Sequence, residues 1–222
     1  MKTIAIVTDS NGLPNPECAI YNTWVHQCIK ELQNEDNIIY TYLIRSLTSD
    51  DIIYFRNLSK DLFSGSFDLV ILSFGIVDCS RRILPRWLLY SLGDKFLIKN
   101  IVNYCNRKLL PITSKYIPYK WVTIAKFKKN LLTMKTIAHK HDTKICFLPI
   151  PPSTCILRKK IQKIDDEISL YNNEFKICDA DLISIKWPIE IDQYFSKDGY
   201  HLNQLGHSLI KREVLKYVFQ KV

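Results

Sequence analysis

The sequence predicts an α/β fold, a parallel sheet with helices on both faces. Two patterns predict it. Short β-rich apolar runs alternate with longer amphipathic stretches along the chain. Strands that alternate with helices close into a parallel sheet through right-handed crossovers. In addition, 222 residues with 47% hydrophobic and 24% charged side chains suffice for one substantial core.

Residues 3–7 (TIAIV) read as a buried strand, followed by the sharp turn Asp9-Ser10-Asn11-Gly12. Pro14 and Pro16 suit helix entry, and 16–33 reads as a helix. A second strand is expected at 37–44, a helix at 50–60 and a buried strand at 67–74, ended by Gly75. After a basic segment broken by Pro85, Pro111 and Pro118, 122–141 reads as an amphipathic helix. A strand follows at 144–149, stopped by Pro149, Pro151 and Pro152. Then come a helix at 159–175, a short strand at 182–185 and a C-terminal helix at 205–219. No repeat or linker interrupts 1–222, which reads as one domain with a basic, aromatic-rich insertion at about 81–131.

The net charge of +9 is concentrated there. Residues 81–131 hold twelve Lys and Arg and a single acid, Asp94, for a charge of +11; the remainder carries −2. Aromatic residues such as Trp87, Tyr90, Tyr104, Tyr119 and Trp121 are interleaved. Such a segment fits a solvated face, an acidic or phosphate-bearing glycan, or a peripheral contact with an anionic membrane. No recognition-helix or RNA-binding signature accompanies it, which argues against nucleic acid. No apolar run reaches the ~18–20 residues of a membrane span, and residues 1–9 lack the apolar core of a secretory leader. The expected location is cytoplasmic, with the inner membrane face as a docking option. The seven cysteines are odd in number and irregularly spaced, arguing against a disulfide framework and a structural zinc site.

In parallel α/β sheets ligands bind beyond the C-terminal strand ends. Three groups there carry chemistry. Ser10 follows the first strand, where a hydroxyl stands exposed at a helix start or simply caps it. Gly75-Ile76-Val77-Asp78 follows the third strand, and its glycine admits close approach of a backbone N–H. Asp198-Gly199-Tyr200-His201 precedes the last helix; a carboxylate three residues before a histidine can orient the ring as a general base toward a serine. Four of the six glycines (Gly12, Gly75, Gly199, Gly206) fall in these three places.

This arrangement resembles the SGNH/GDSL hydrolases, the GDSL-type esterases and lipases. Thr8-Asp9-Ser10 is similar to the family's Gly-Asp-Ser block, with Thr for Gly. Gly75-Ile76-Val77-Asp78 is similar to its Gly-x-Asn-Asp block, and Asp198-Gly199-Tyr200-His201 to its Asp-x-x-His block. The stretches 9–14 and 75–79 look like a divergent subgroup associated with bacterial surface-polysaccharide clusters. The resemblance implies a three-layer α/β/α sandwich with a flavodoxin-like parallel sheet, Ser10 as nucleophile, His201 as base and Asp198 as its orienter. It implies an oxyanion hole of backbone N–H groups at Ser10, Ser46 and Gly75, with Ser46 at the family's second-block glycine. It implies no metal and no organic cofactor. Val77 departs from the family, since valine lacks the asparagine's donor. Arg81 and Arg82 are the expected substitutes or anion contacts, and Asp78 is expected to fix the loop beside the substrate. The implied activity is removal of an acyl group, O-acetyl foremost, from a saccharide or glycolipid. A saccharide O-acyltransferase on the same triad and a catalytically weakened carbohydrate- or membrane-binding module remain the alternatives.

Overall fold

A computed structural model describes residues 1–55, 58–86, 104, 109–113, 116 and 119–221. Much of the basic insertion, including Trp87, Tyr90 and Cys105, lies outside them.

Four strands form an all-parallel sheet: β1 (Thr3–Thr8), β2 (Ile38–Leu43), β3 (Leu69–Ser73) and β4 (Lys144–Leu148), in the order β2-β1-β3-β4. Their side chains divide by the two-residue period of a strand. Ala5, Val7, Val70, Leu72 and Phe147 face one core; Ile4, Ile6, Leu69, Ile71, Cys146 and Leu148 face the other. Four long helices cover these faces: α1 (Trp24–Gln33), α2 (Ile124–Lys140), α3 (Ile164–Ile177) and α4 (Gln204–Lys221). Helices α2 and α3 bury Phe127, Leu131, Tyr171 and Phe175 on the first face. Helices α1 and α4 bury Trp24, Cys28, Leu32, Ile210 and Val214 on the second. The result is the three-layer α/β/α sandwich the sequence predicts.

The register sets the C-terminal strand ends in one row: Leu43, Thr8, Ser73 and Leu148 stand side by side. The chain passes from β1 outward to β2 and then returns across β1 to β3 and β4 on the other side, so the crevice between β1 and β3 is the switch point where such sheets bind ligands.

Several expected elements differ. The helix expected from residue 16 starts at Trp24, with Thr23 accepting from the His26 N–H as its cap. Residues before it are held otherwise: Asn15 Oδ1 accepts from the Glu17 N–H at 2.9 Å, and Asn15 and Cys18 exchange two backbone bonds of 3.0 Å. Those bonds take the donors a helix would use. The helix expected at 50–60 is a wide turn, Asp51–Phe55, followed by a short helix, Leu58–Leu62. The helix expected at 159–175 is two, Cys155–Lys160 and α3, broken where Lys163 turns to φ 60°. The strand expected at 182–185 shrinks to one bridge, Leu182 to Phe147, and the chain beyond it carries no regular structure through Pro188.

Candidate active site

Ser10 opens the short 3-10 turn Ser10–Gly12 directly after β1. Asp9 caps that turn, its Oδ1 accepting from the Asn11 N–H at 2.9 Å, and the Asp9 N–H donates to Ser73 O at 3.0 Å. The Ser10 turn is thereby tied to the end of β3. Burial pushes the Asp9 carboxyl up to about 6, against the pull of the Asn11 N–H and of nearby His201.

His201 and Asp198 come from the loop before α4. Gly199 takes φ 75° at the centre of that turn, a conformation glycine adopts without penalty. Asp198 Oδ2 lies 2.5 Å from His201 Nδ1, while Asp198 Oδ1 accepts from the Tyr200 and His201 N–H groups at 2.8 and 3.0 Å. Burial alone would raise the Asp198 carboxyl. The His201 ring and these two N–H groups outweigh it and hold it well below the usual carboxylate range. Asp198 therefore stays ionised and fixes the tautomer of His201 with Nδ1 as donor. Asn15 joins this loop to the Ser10 side, donating to Leu202 O at 2.8 Å and accepting from Ser196 Oγ at 3.3 Å.

Ser10, Ser46, Asp198 and His201, distant in sequence, line one pocket of about 300 Å³ together with Leu13, Pro14, Asn15, Pro16 and Arg45. Ser46 has φ 55°, the left-handed conformation that a glycine at this place would supply, kept here by a serine. Arg45 and the stretch 13–16 were not among the expected site residues. The only signal for them was their position just after strand ends.

The other expected residues lie outside this lining. Gly75 follows β3 with φ 116°, and a Cβ there would stand 2.7 Å from Ile150 Cδ1. Val77 is 6% exposed within the α2/α3 core. Arg81 pairs with Glu167 at 3.0 Å, and Lys120 pairs with the same carboxylate at 2.6 Å. Arg82 lies over the Trp121 ring at 4.7 Å, its buried Nε without a partner. Part of the basic segment's charge is thus spent within the fold: Arg86 pairs with Asp51 and Lys126 with Asp50. Among the described residues, no group of three or more His, Cys, Asp or Glu gathers as a metal site, and no helix is long and apolar enough to cross a membrane.

Asp78 is fully buried and holds the loop that follows Ser46. Its Oδ1 accepts from the Ser49 N–H at 2.9 Å and from Ser49 Oγ at 2.6 Å, while its buried Oδ2 has no partner. Burial, reinforced by Asp50 and Asp51, raises its carboxyl to about 7 despite the Ser49 bonds. A carboxyl raised on folding contributes its stability at low pH and loses it as pH rises through about 7. Asp78→Asn keeps the acceptor and removes the buried charge. Its stability relative to wild type should therefore improve by about 3 kcal/mol between pH 5 and pH 8 in urea denaturation. A pH-independent difference would contradict this assignment.

No family model matches the chain, and no curated protein matches it. Solved structures do. The lipase/acylhydrolase from Enterococcus faecalis is 16% identical, with TM-score 0.65, over 98% of this chain and 95% of that one. The psychrotrophic esterase EstA from Pseudoalteromonas sp. is 14% identical, with TM-score 0.60, over 99% and 98%. Axe2, an acetylxylan esterase from Geobacillus stearothermophilus, is 14% identical, with TM-score 0.59, over 98% and 94%. With its parallel sheet, its flanking helices and this end-to-end likeness, the chain has the SGNH-hydrolase fold.

Proposed function

We propose that the chain is a serine esterase that removes acyl groups, O-acetyl foremost, from a saccharide or glycolipid. The observation that carries this reading is the meeting of Ser10, His201 and Asp198 in one pocket, with the Asp198–His201 bond already formed. The activities of proteins of similar structure, an acylhydrolase and an acetylxylan esterase among them, support it.

In this mechanism Ser10 Oγ attacks the ester carbonyl as His201 Nε2 takes its proton. Asp198 stabilises the imidazolium through Nδ1. Backbone N–H groups of Ser10 and Ser46, both in the lining, face the oxyanion, whereas the third expected donor, Gly75, lies outside it. His201 returns the proton to the departing sugar hydroxyl, then activates the water that cleaves the acyl-enzyme. Val77 leaves one side-chain donor out, which lowers turnover by about 10²–10³ relative to a site that has it. No metal or organic cofactor takes part. Arg82 is the remaining expected cation without an acid partner among the described residues, and it enters as a more distant substrate contact. The His201 side chain is 34% exposed, so water reaches the base. That favours hydrolysis over transfer to a second sugar.

The test is acetate release from a panel of O-acetylated oligosaccharides alongside 4-nitrophenyl acetate. The expected result is a higher kcat/KM on at least one saccharide than on the aryl ester. Turnover of the aryl ester alone would overturn the saccharide assignment.

A further inference from the structure

We propose that Arg45 makes this site selective for esters whose alcohol carries an anionic group, a carboxylate or a phosphate. The inference rests on the serine-esterase reading for its role in turnover and on the pocket's own charges for the anion. Arg45 lines the pocket beside Ser10, Ser46 and His201, and its side chain is exposed. It forms no hydrogen bond or ion pair with the described residues.

The lining's single carboxylate and its single amide are both committed. Asp198, the pocket's one carboxylate, is taken up by the His201 ring and two N–H groups. Asn15 is taken up by Leu202 O, the Glu17 N–H and Ser196 Oγ. Behind the lining, the Lys160 ammonium sits on Asp198 O at 2.5 Å, adding positive charge to the same wall. Leu13, Pro14 and Pro16 complete it with apolar surface. The uncommitted charge facing the reacting centre is therefore cationic, on a planar fork that binds carboxylate or phosphate through two bonds.

The loop that follows Arg45 and Ser46 is anchored by buried hydrogen bonds. Asp51 Oδ2 accepts from the Thr48 N–H and Oγ1, both at 2.9 Å, Arg86 closes on Asp51, and Asp78 grips Ser49. A recognition group on such a loop specifies geometry as well as charge. Of the two anion contacts the sequence suggests, Arg81 is committed to Glu167, and neither Arg81 nor Arg82 lines this pocket.

The experiment compares three acetyl esters of one shape: 4-acetoxybenzoate, 4-acetoxyphenyl phosphate and the neutral methyl 4-acetoxybenzoate. It uses the intact wild type, Arg45→Gln and Arg45→Lys. The expected result is an anionic-over-neutral ratio of kcat/KM that falls about tenfold or more in Arg45→Gln, mainly through KM, and is partly restored in Arg45→Lys. The wild-type preference should fade as salt is raised. The better of the two anionic esters tells carboxylate from phosphate. An unchanged ratio in Arg45→Gln would overturn the proposal. Calorimetric binding of 4-hydroxybenzoate and phenyl phosphate reads the same site without turnover, and equal binding to wild type and Arg45→Gln would also overturn it. Arg45-dependent binding with no hydrolysis of any ester would instead sink the esterase reading and leave the anion site standing.

Discussion

Ser10→Ala is expected to lower acyl-ester hydrolysis by about 10⁴-fold or more, with KM little changed. In the proposed mechanism its Oγ forms the acyl bond, and the other hydroxyl of the pocket lining belongs to Ser46, on the neighbouring loop. His201→Ala should cost a similar factor. The double variant should cost no more than either alone, because a nucleophile without its base and a base without its nucleophile fail at the same step. Asp198→Asn tests the third member separately. Its amide cannot hold the imidazolium as the carboxylate does, so kcat should fall by about 10²–10⁴ while the fold persists. Additive losses in the double variant would contradict a shared mechanism. Initial rates on 4-nitrophenyl acetate, with circular dichroism to confirm folding, decide it.

The largest stability effect is expected at Glu167, far from any chemistry. Its carboxylate, 5% exposed, receives the Arg81 guanidinium and the Lys120 ammonium. Glu167→Ala removes the carboxylate that both cations share and should cost about 3–5 kcal/mol of unfolding free energy. Replacing all three by apolar residues of similar volume (Arg81→Met, Lys120→Met, Glu167→Leu) should recover most of that loss, since a buried ionic cluster is costly to break and cheap to replace. Urea denaturation of both variants measures the difference. A loss below about 1 kcal/mol in Glu167→Ala would mean that water solvates the cluster.

The fold was legible because β1, β3 and β4 are read from local patterns: their short apolar runs, with Gly75 after β3 and Pro149 after β4, need no tertiary information to announce themselves. The chemical blocks were legible for a related reason. Ser10, Gly75 and the Asp198–His201 spacing each sit immediately after or before a regular element, where a parallel sheet gathers its ligands. What stayed hidden depended on contacts remote in sequence. Arg81 meets Glu167 across 86 residues, and Asn15 meets Leu202 across 187, so neither partner is visible in the local pattern. The expected helix over 16–33 failed at its start for the same reason. Asn15 reaches across to the His201 loop and at the same time captures the Glu17 N–H, and it thereby carries Pro14 and Pro16 into the pocket wall. Ser46 shows the reverse case. A serine hid the left-handed backbone that a glycine would have advertised, although the conformation itself is kept.

The most direct test of the central claim is covalent. A fluorophosphonate probe incubated with the full chain should form one adduct, located by peptide mass spectrometry on Ser10, and Ser10→Ala and His201→Ala should abolish it. Labelling that persists in Ser10→Ala, or a folded wild-type chain that takes up no probe, would contradict the assignment of Ser10 as an activated nucleophile.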